Sequence, residues 1–238
     1  MKPIIMVPAR LDSKRLPYKL LQKVNHEPII LHVIDQLLPL ADTCRVMVVT
    51  DSDEVEKIAR ENDTIEILRS FAPCLNGTER CALASKDLLA DQLILNVQAD
   101  ELYVDIEDLQ RLISHMEHNR SCQLANLIGP IGPTDAEVRS TVKISIDERG
   151  NAMDFTREMQ DGDNVYAHHG VYAYRNSCLQ SIAKLSPSAN EKNRSLEQMR
   201  WLDNNYSIHC VYCDTEVRSI NTLDDLRSAN VRAKYGLQ

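Results

Sequence analysis

Ile4-Ile5-Met6-Val7-Pro8-Ala9-Arg10-Leu11-Asp12-Ser13-Lys14-Arg15-Leu16-Pro17-Tyr18-Lys19 begins as a short apolar run and turns into a basic loop. The run Ile4–Val7 has the length and composition of a buried strand. The loop after it carries Arg10, Lys14, Arg15 and Lys19 against one acid, Asp12. Open α/β sheets bind ligands at the carboxyl ends of their strands, which is where this loop falls. Its charge predicts a polyanion, most simply a nucleotide triphosphate, because Arg and Lys neutralise phosphate oxygens and Arg can do so bidentately. Pro8 and Pro17 stiffen the segment, so less ordering entropy is lost on binding. Neither G-x-x-x-x-G-K-[ST] nor G-x-G-x-x-G is present, so the loop is not a P-loop and a dinucleotide fold is disfavoured. A solvated surface loop has the same composition, so the choice depends on what faces it.

Outward from this strand, the first half alternates strand and helix. Pro28–Leu38 reads as a helix, Arg45–Thr50 as a strand, and Ser52–Asn62 as a helix capped by Asp51 or Ser52. Ile65–Leu68 reads as a strand, Thr78–Leu89 as a helix, Gln92–Val97 as a strand and Asp105–Met116 as a helix. This rhythm predicts an α/β fold, with a mainly parallel, mixed sheet flanked by helices. The second half is less regular. Gln123–Ile128, Thr141–Ile146, His168–Tyr174 and Ser207–Cys213 read as strands. Asn176–Lys184, Ser195–Leu202 and Thr222–Tyr235 read as helices. No repeat or linker divides the 238 residues, so one domain is expected, with a smaller lobe over roughly 123–175 that carries a dimer contact.

Composition sets the outer limits. The net charge of -8 argues against general nucleic-acid binding, which needs a broad basic face. No apolar run approaches the roughly 18 residues of a membrane span. Seven scattered cysteines fit reduced, packed thiols better than a disulfide framework, so a cytoplasmic protein is expected. Cys210 and Cys213 have the C-x-x-C spacing. They lie in a predicted strand, where residues three apart face opposite sides, and no second cysteine pair completes a zinc site.

Asp100 and Glu101 follow an apolar strand and so emerge at the same sheet edge as Arg10. A carboxylate there can hold Mg²⁺ together with substrate phosphates; an ion-paired or capping acid is the plainer alternative. Gly77 lets backbone approach a ligand closely, while Thr78 is equally suited to capping a helix. His168 and His169 are strand neighbours and face opposite sides, so at most one meets a site. Glu197, Gln198 and Arg200 share one helix and, taken alone, suit a solvated face.

Together these segments resemble the cytidylyltransferases that activate acidic sugars, above all those acting on 3-deoxy-manno-octulosonate (Kdo). The carrying segments are Val7-Pro8-Ala9-Arg10 with Ser13, Arg15-Leu16-Pro17 and Lys19; Val49-Thr50-Asp51; Gly77-Thr78-Glu79-Arg80; and Asn96-Val97-Gln98 with Asp100-Glu101. Val142-Lys143, His168, Gly170-Val171-Tyr172, Tyr174-Arg175, Leu196-Glu197-Gln198 and Arg200 complete the set. The resemblance implies a nucleotide-diphospho-sugar transferase-like fold, a homodimer and transfer of CMP from CTP to the anomeric hydroxyl of a Kdo-like acid. Arg10, Ser13, Arg15 and Lys19 would embrace the triphosphate. Gly77, Thr78 and Gln98 would place the cytidine, and Asp100 would bind Mg²⁺. Arg157, His168, Glu197 and Gln198 would meet the sugar acid.

The chain also departs from that pattern. Asn221 stands where the family carries a second metal-binding aspartate. Tyr18 and Ala99 replace glycines, and Pro73, Cys74 and Asn76 alter the segment before Gly77. The family's Ile-Pro segment is missing after Phe155-Thr156-Arg157. Arg194 replaces a glutamate and is expected to pair with another anionic group or with Glu191. A cytidylyltransferase for a different ulosonic acid and a non-catalytic nucleotide-binding relative remain as alternatives.

Overall fold

In the computed structural model the opening apolar run becomes β1 (Ile4–Ala9). Its side chains alternate: Ile5, Val7 and Ala9 enter one core, while Ile4 and Met6 enter the other. A strand buried on both faces belongs inside a sheet covered on both sides. The structure describes residues 1–13, 15–132, 140–158, 164–216 and 219–235. Lys14 of the basic loop and residues 159–163 of the stretch between Glu158 and Val165 lie outside the described residues.

The further strands are β2 (Lys23–Val24), β3 (Glu27–Pro28), β4 (Arg45–Thr50), β5 (Glu66–Arg69), β6 (Leu93–Val97) and β7 (Leu124–Gly129). They are followed by β8 (Lys143–Ile146), β9 (Ala152–Thr156), β10 (Val165–Arg175) and β11 (His209–Tyr212). The α-helices are α1 (Ile29–Leu37), α2 (Asp53–Ala59), α3 (Gly77–Ala84), α4 (Ile106–His118), α5 (Asn176–Ile182), α6 (Ala189–Arg194), α7 (Gln198–Asp203) and α8 (Leu223–Lys234). β2 and β3 form a separate hairpin, and the main sheet runs in the order β11-β7-β10-β6-β1-β4-β5. β1 pairs parallel with β4 and β6, β4 with β5, and β11 with β7. β10 runs antiparallel to both β6 and β7, and β8 and β9 extend from it antiparallel. The expected mixed, mostly parallel sheet is therefore present. Of the stretch 123–175, β7 and β10 lie in the main sheet, and β8 and β9 leave its path.

This topology collects the site. Parallel β1, β4 and β6 turn their carboxyl ends to one edge, so Arg10, Asp51 and the segment Gln98–Asp100 emerge together. Antiparallel β10 brings its first half, with His168, to that edge; the Gln98 N–H donates to the Gly170 carbonyl at 3.1 Å.

Several local expectations are corrected. α3 is capped by Asn76, whose side chain accepts from the Glu79 N–H; Thr78 lies inside the helix. The helix also stops at Ala84, well short of Leu89. Ser52, not Asp51, caps α2. β9 and α6 are additional elements, the latter opened by a Ser188–Glu191 capping box.

Candidate active site

The sheet edge opens into a cavity of about 560 Å³. Arg15, Gln98, Asp100, Asn221, Arg157, His168, Glu197 and Gln198 all line it. Eight of the predicted site residues thus share one space. Lys19 adjoins it through an ion pair with Asp100, both side chains about one-seventh exposed at 15% and 13%.

The basic loop and the acidic edge hold each other. Lys19 pairs with Asp100, and the Arg15 guanidinium donates to Asn221 Oδ1 at 2.7 Å. Asn221 is fixed in turn: its Nδ2 donates to Ser219 Oγ, and its N–H donates to Asp225, the N3 residue of α8. Two predicted phosphate cations therefore stand against the two predicted metal ligands. Arg10 does not line the cavity; it is exposed and donates to the Leu75 carbonyl at 3.1 Å. Ser13 is half-buried in the loop outside the cavity wall.

Tyr18, the residue before Lys19, is a non-glycine residue in left-handed backbone, with φ 52 and ψ 35, and its side chain is exposed. That conformation costs an L-residue about 1–2 kcal/mol, partly offset in glycine by the entropy of its unfolded chain. Tyr18→Gly is thus expected to stabilise the protein by about 0.5–1 kcal/mol, which thermal denaturation reads as a Tm rise of about 1–4 °C. A fall in Tm would show that the phenol makes a stabilising contact.

Gly77 is a close-approach position, since a Cβ there would sit 3.0 Å from Pro8 Cγ. Thr78, one residue on, is buried and hydrogen-bonds to the Glu197 carboxyl. Gly170 is tighter still: a Cβ would meet Glu101 Oε1 at 2.4 Å. The Glu101 carboxylate accepts from the Gly170 N–H at 2.9 Å, beside an irregularity in β10 between His168 and Tyr172. Burial, then the charge of Asp100, pushes the Glu101 carboxyl up to about 8.

As expected, the two histidines face opposite sides. His168 contacts the Tyr172 hydroxyl and the Gln198 amide in the cavity, and burial pushes its imidazole down to about 3. His169 packs behind the strand, 3.2 Å from both the Thr215 carbonyl and Cys213 Sγ. Cys210 belongs to the other core, and all seven cysteines are free. Arg157 donates to the Ser140 carbonyl at 3.2 Å. Arg194 does not reach the cavity wall and does not pair with Glu191; it pairs with Asp154 at 2.5 Å. Sequence reasoning missed Asp225, Ser228, Ala229 and Arg232, which line the cavity from α8. Their i, i+3, i+4, i+7 spacing marks one helix face and was the available signal.

A model of the cytidylyltransferase family matches residues 4–208. The chain belongs to the cytidylyltransferase family. It is 35% identical over 236 residues to a 3-deoxy-manno-octulosonate cytidylyltransferase of Chlorobium limicola, with 95% of each chain covered. It is 34% identical to one of Synechococcus elongatus, with 97% of each covered. Among solved structures, a CMP:2-keto-3-deoxy-manno-octonic acid synthetase complexed with CTP superposes with a TM-score of 0.88 at 28% identity over the whole of both chains. A putative glucose-1-phosphate thymidylyltransferase of Bacillus anthracis superposes at 0.70 with 17% identity, covering 98% of this chain and 95% of its own, and so shares the fold. The family match ends at residue 208, so Asn221 and the α8 face of this cytidylyltransferase's cavity lie beyond it.

Proposed function

We propose that this cytidylyltransferase transfers CMP from CTP to the anomeric hydroxyl of a Kdo-like 2-keto-3-deoxy sugar acid, releasing pyrophosphate. The observation that carries this is the shared cavity, where Arg15, Gln98 and Asp100 face Arg157, His168, Glu197 and Gln198. The names of the relatives support the same substrates.

Both substrates are anions, so the task is chiefly charge neutralisation and alignment. Arg15 and Lys19 would exchange Asn221 and Asp100 for the triphosphate. Gly77 lets Pro8 pack closely on α3, and Gly77, Thr78 and Gln98 would position the nucleoside. Arg157 would meet the sugar carboxylate, while Gln198 and His168 would bind its hydroxyls. Arg10 and Ser13 would join from the loop as the triphosphate settles.

Asp100 and Asn221 fit a Mg²⁺ ion held jointly with the nucleotide. Mg²⁺ is commonly bound through one or two carboxylates plus substrate phosphates, and both side chains offer an oxygen to this cavity. No group of three His, Cys, Asp or Glu residues suited to a metal occurs among the described residues. When bound, the ion would neutralise phosphate charge and favour departure of pyrophosphate.

A homodimer contact through the β8–β9 extension belongs to the same proposal. So does a cytoplasmic setting, supported by seven unpaired thiols. No helix among the described residues is long and apolar enough to cross a membrane. The test is pyrophosphate release from CTP and Mg²⁺ with a panel of ulosonic acids, beside a thermal-shift panel of nucleotides. Turnover with a Kdo-like acid and a Tm raised most by CTP are expected. Silence with every acid would overturn the proposal.

A further inference from the structure

Glu197 lines the cavity together with Gln98, Asp100 and His168. It is the residue before α7, and its carboxyl takes a hydrogen bond from Thr78 on α3. The next residue, Gln198, reaches across to His168 and Tyr172 on β10. The carboxyl therefore shares one cavity with Arg15, Gln98 and Asp100, assigned above to the nucleotide, and with Arg157, His168 and Gln198, assigned to the sugar.

Its nearest cation is committed elsewhere. Arg200 donates to both oxygens of Glu191 at 2.6 Å and to the Leu185 carbonyl at 2.9 Å. Glu79 and Cys81 face Glu197 from α3, Glu191 from α6, and Tyr172 and Tyr174 from β10. None of these supplies a positive charge. Glu197 is part-buried, and a partly desolvated carboxylate without a bidentate cation is basic for its type. Burial accordingly pushes the Glu197 carboxyl up to about 7.

We propose that Glu197 is the proton acceptor for the sugar hydroxyl that attacks the α-phosphate of CTP. The inference rests on the cytidylyl-transfer reading above. In the step, the anomeric O–H bond breaks and its proton passes to a Glu197 carboxylate oxygen. The sugar oxygen forms a bond to the α-phosphorus. The bond from that phosphorus to the bridging oxygen breaks, and pyrophosphate leaves with the electron pair. Water takes the proton from Glu197 before the next turnover. The other cavity groups suit this task less well. The His168 ring is already bonded to Tyr172 and is a weak base. Asp100 is paired with Lys19, and Glu101 is packed under Gly170.

The test is single-turnover and steady-state pyrophosphate release by the wild-type protein and by Glu197→Gln, which keeps an oxygen for Thr78. The expected result is a fall of about 10²–10³-fold in the chemical step. KM for CTP and for the sugar should stay within about threefold, because a positioned base acts chiefly on the chemical step. The wild-type rate should rise with pH through about 7 as the carboxyl ionises, and that limb should vanish in Glu197→Gln. Glu197→Asp, which retains a carboxylate, should retain a limb. The CTP-induced thermal shift of each variant confirms that it is folded. An unchanged rate, or a raised sugar KM with the pH limb intact, overturns the inference and leaves cytidylyl transfer standing. Absence of wild-type turnover with every acid overturns both.

Discussion

Asp100→Asn is expected to lower turnover by about 10²–10³-fold, the loss typical when one preorganised charge or donor is removed from such a site. The reasons lie in the geometry. Asp100 ends the segment after β6, lines the cavity, and pairs with the loop cation Lys19. Its carboxylate serves two states: it docks the basic loop, and under the proposed function it anchors Mg²⁺ once the triphosphate takes Lys19. The amide in Asp100→Asn still accepts a hydrogen bond from Lys19, so the loop should stay docked and Tm should move by only a few degrees, on the scale of about 2–4 °C per kcal/mol. What is lost is the charge. Half-saturation in Mg²⁺ should therefore rise, since the remaining protein ligand, Asn221, is also an amide. Glu101 supplies an independent readout. The Asp100 charge is the second cause, after burial, of its raised carboxyl, so the variant should let Glu101 ionise at lower pH. Glu101 favours folding below its unfolded range, and that stability is lost as pH rises through about 8. In Asp100→Asn that loss should be smaller and should level off at lower pH. Pyrophosphate release across a Mg²⁺ titration, with Tm from pH 5 to 9, measures each part. A rate within about threefold of wild type, far short of the loss expected on removing a catalytic charge, would remove Asp100 from the reaction.

How much of this was legible in the sequence depends on the range of the interaction that decides each element. β4 falls at the predicted Arg45–Thr50, and the alternation of β1 follows from a period of two in one short run. The edge that gathers Arg15 and Asp100 was also legible, because consecutive parallel strands with helical crossovers leave little choice of direction. The antiparallel placement of β10 between β6 and β7 was not, since that pairing joins residues distant in the chain, such as Val171 with Val97 and Tyr172 with Asn126. β9 was hidden by Asp154 and Thr156, which interrupt its apolar pattern. The cap at Asn76 and the Ser188–Glu191 box were readable signals that were passed over. Arg194 turned to Asp154 because β9 comes within its reach, a contact that local sequence cannot show. Charged positions near α7 were the most misleading. Charge there reads as a solvated face, yet Gln198 and Arg200 are buried and Glu197 reaches into the cavity.

Arg200→Ala is accordingly expected to cause a large loss of stability, about 3–5 kcal/mol, which is the range for removing one partner of a buried ion pair. The Arg200 side chain is 2% exposed. Its guanidinium binds both oxygens of Glu191, the Leu185 carbonyl, and at 3.7 Å an oxygen of Glu79. It thereby ties α6 to α7 and compensates the acids around it. Alanine leaves Glu191, Glu79 and Glu197 facing one another with that cation gone, next to the buried Met199 and Trp201. Tm should fall by about 6–20 °C. The loss should be greater at pH 8 than at pH 5, because protonation of Glu197 removes one of the facing charges. Arg200→Met combined with Glu191→Leu should recover most of the loss, since an apolar pair of similar volume needs no counter-charge. Thermal denaturation of the single and double variants decides the matter, and a drop of less than about 1 kcal/mol, the worth of an exposed pair, would show the ion pair to be dispensable. One consequence reaches the chemistry. Arg200 lowers the Glu197 carboxyl against the stronger effect of burial. Without it Glu197 ionises at higher pH, and the acidic limb of turnover in Arg200→Ala should move upward from about 7. The buried arginine thus supports the fold through Glu191 and tunes the proposed base through its residual field.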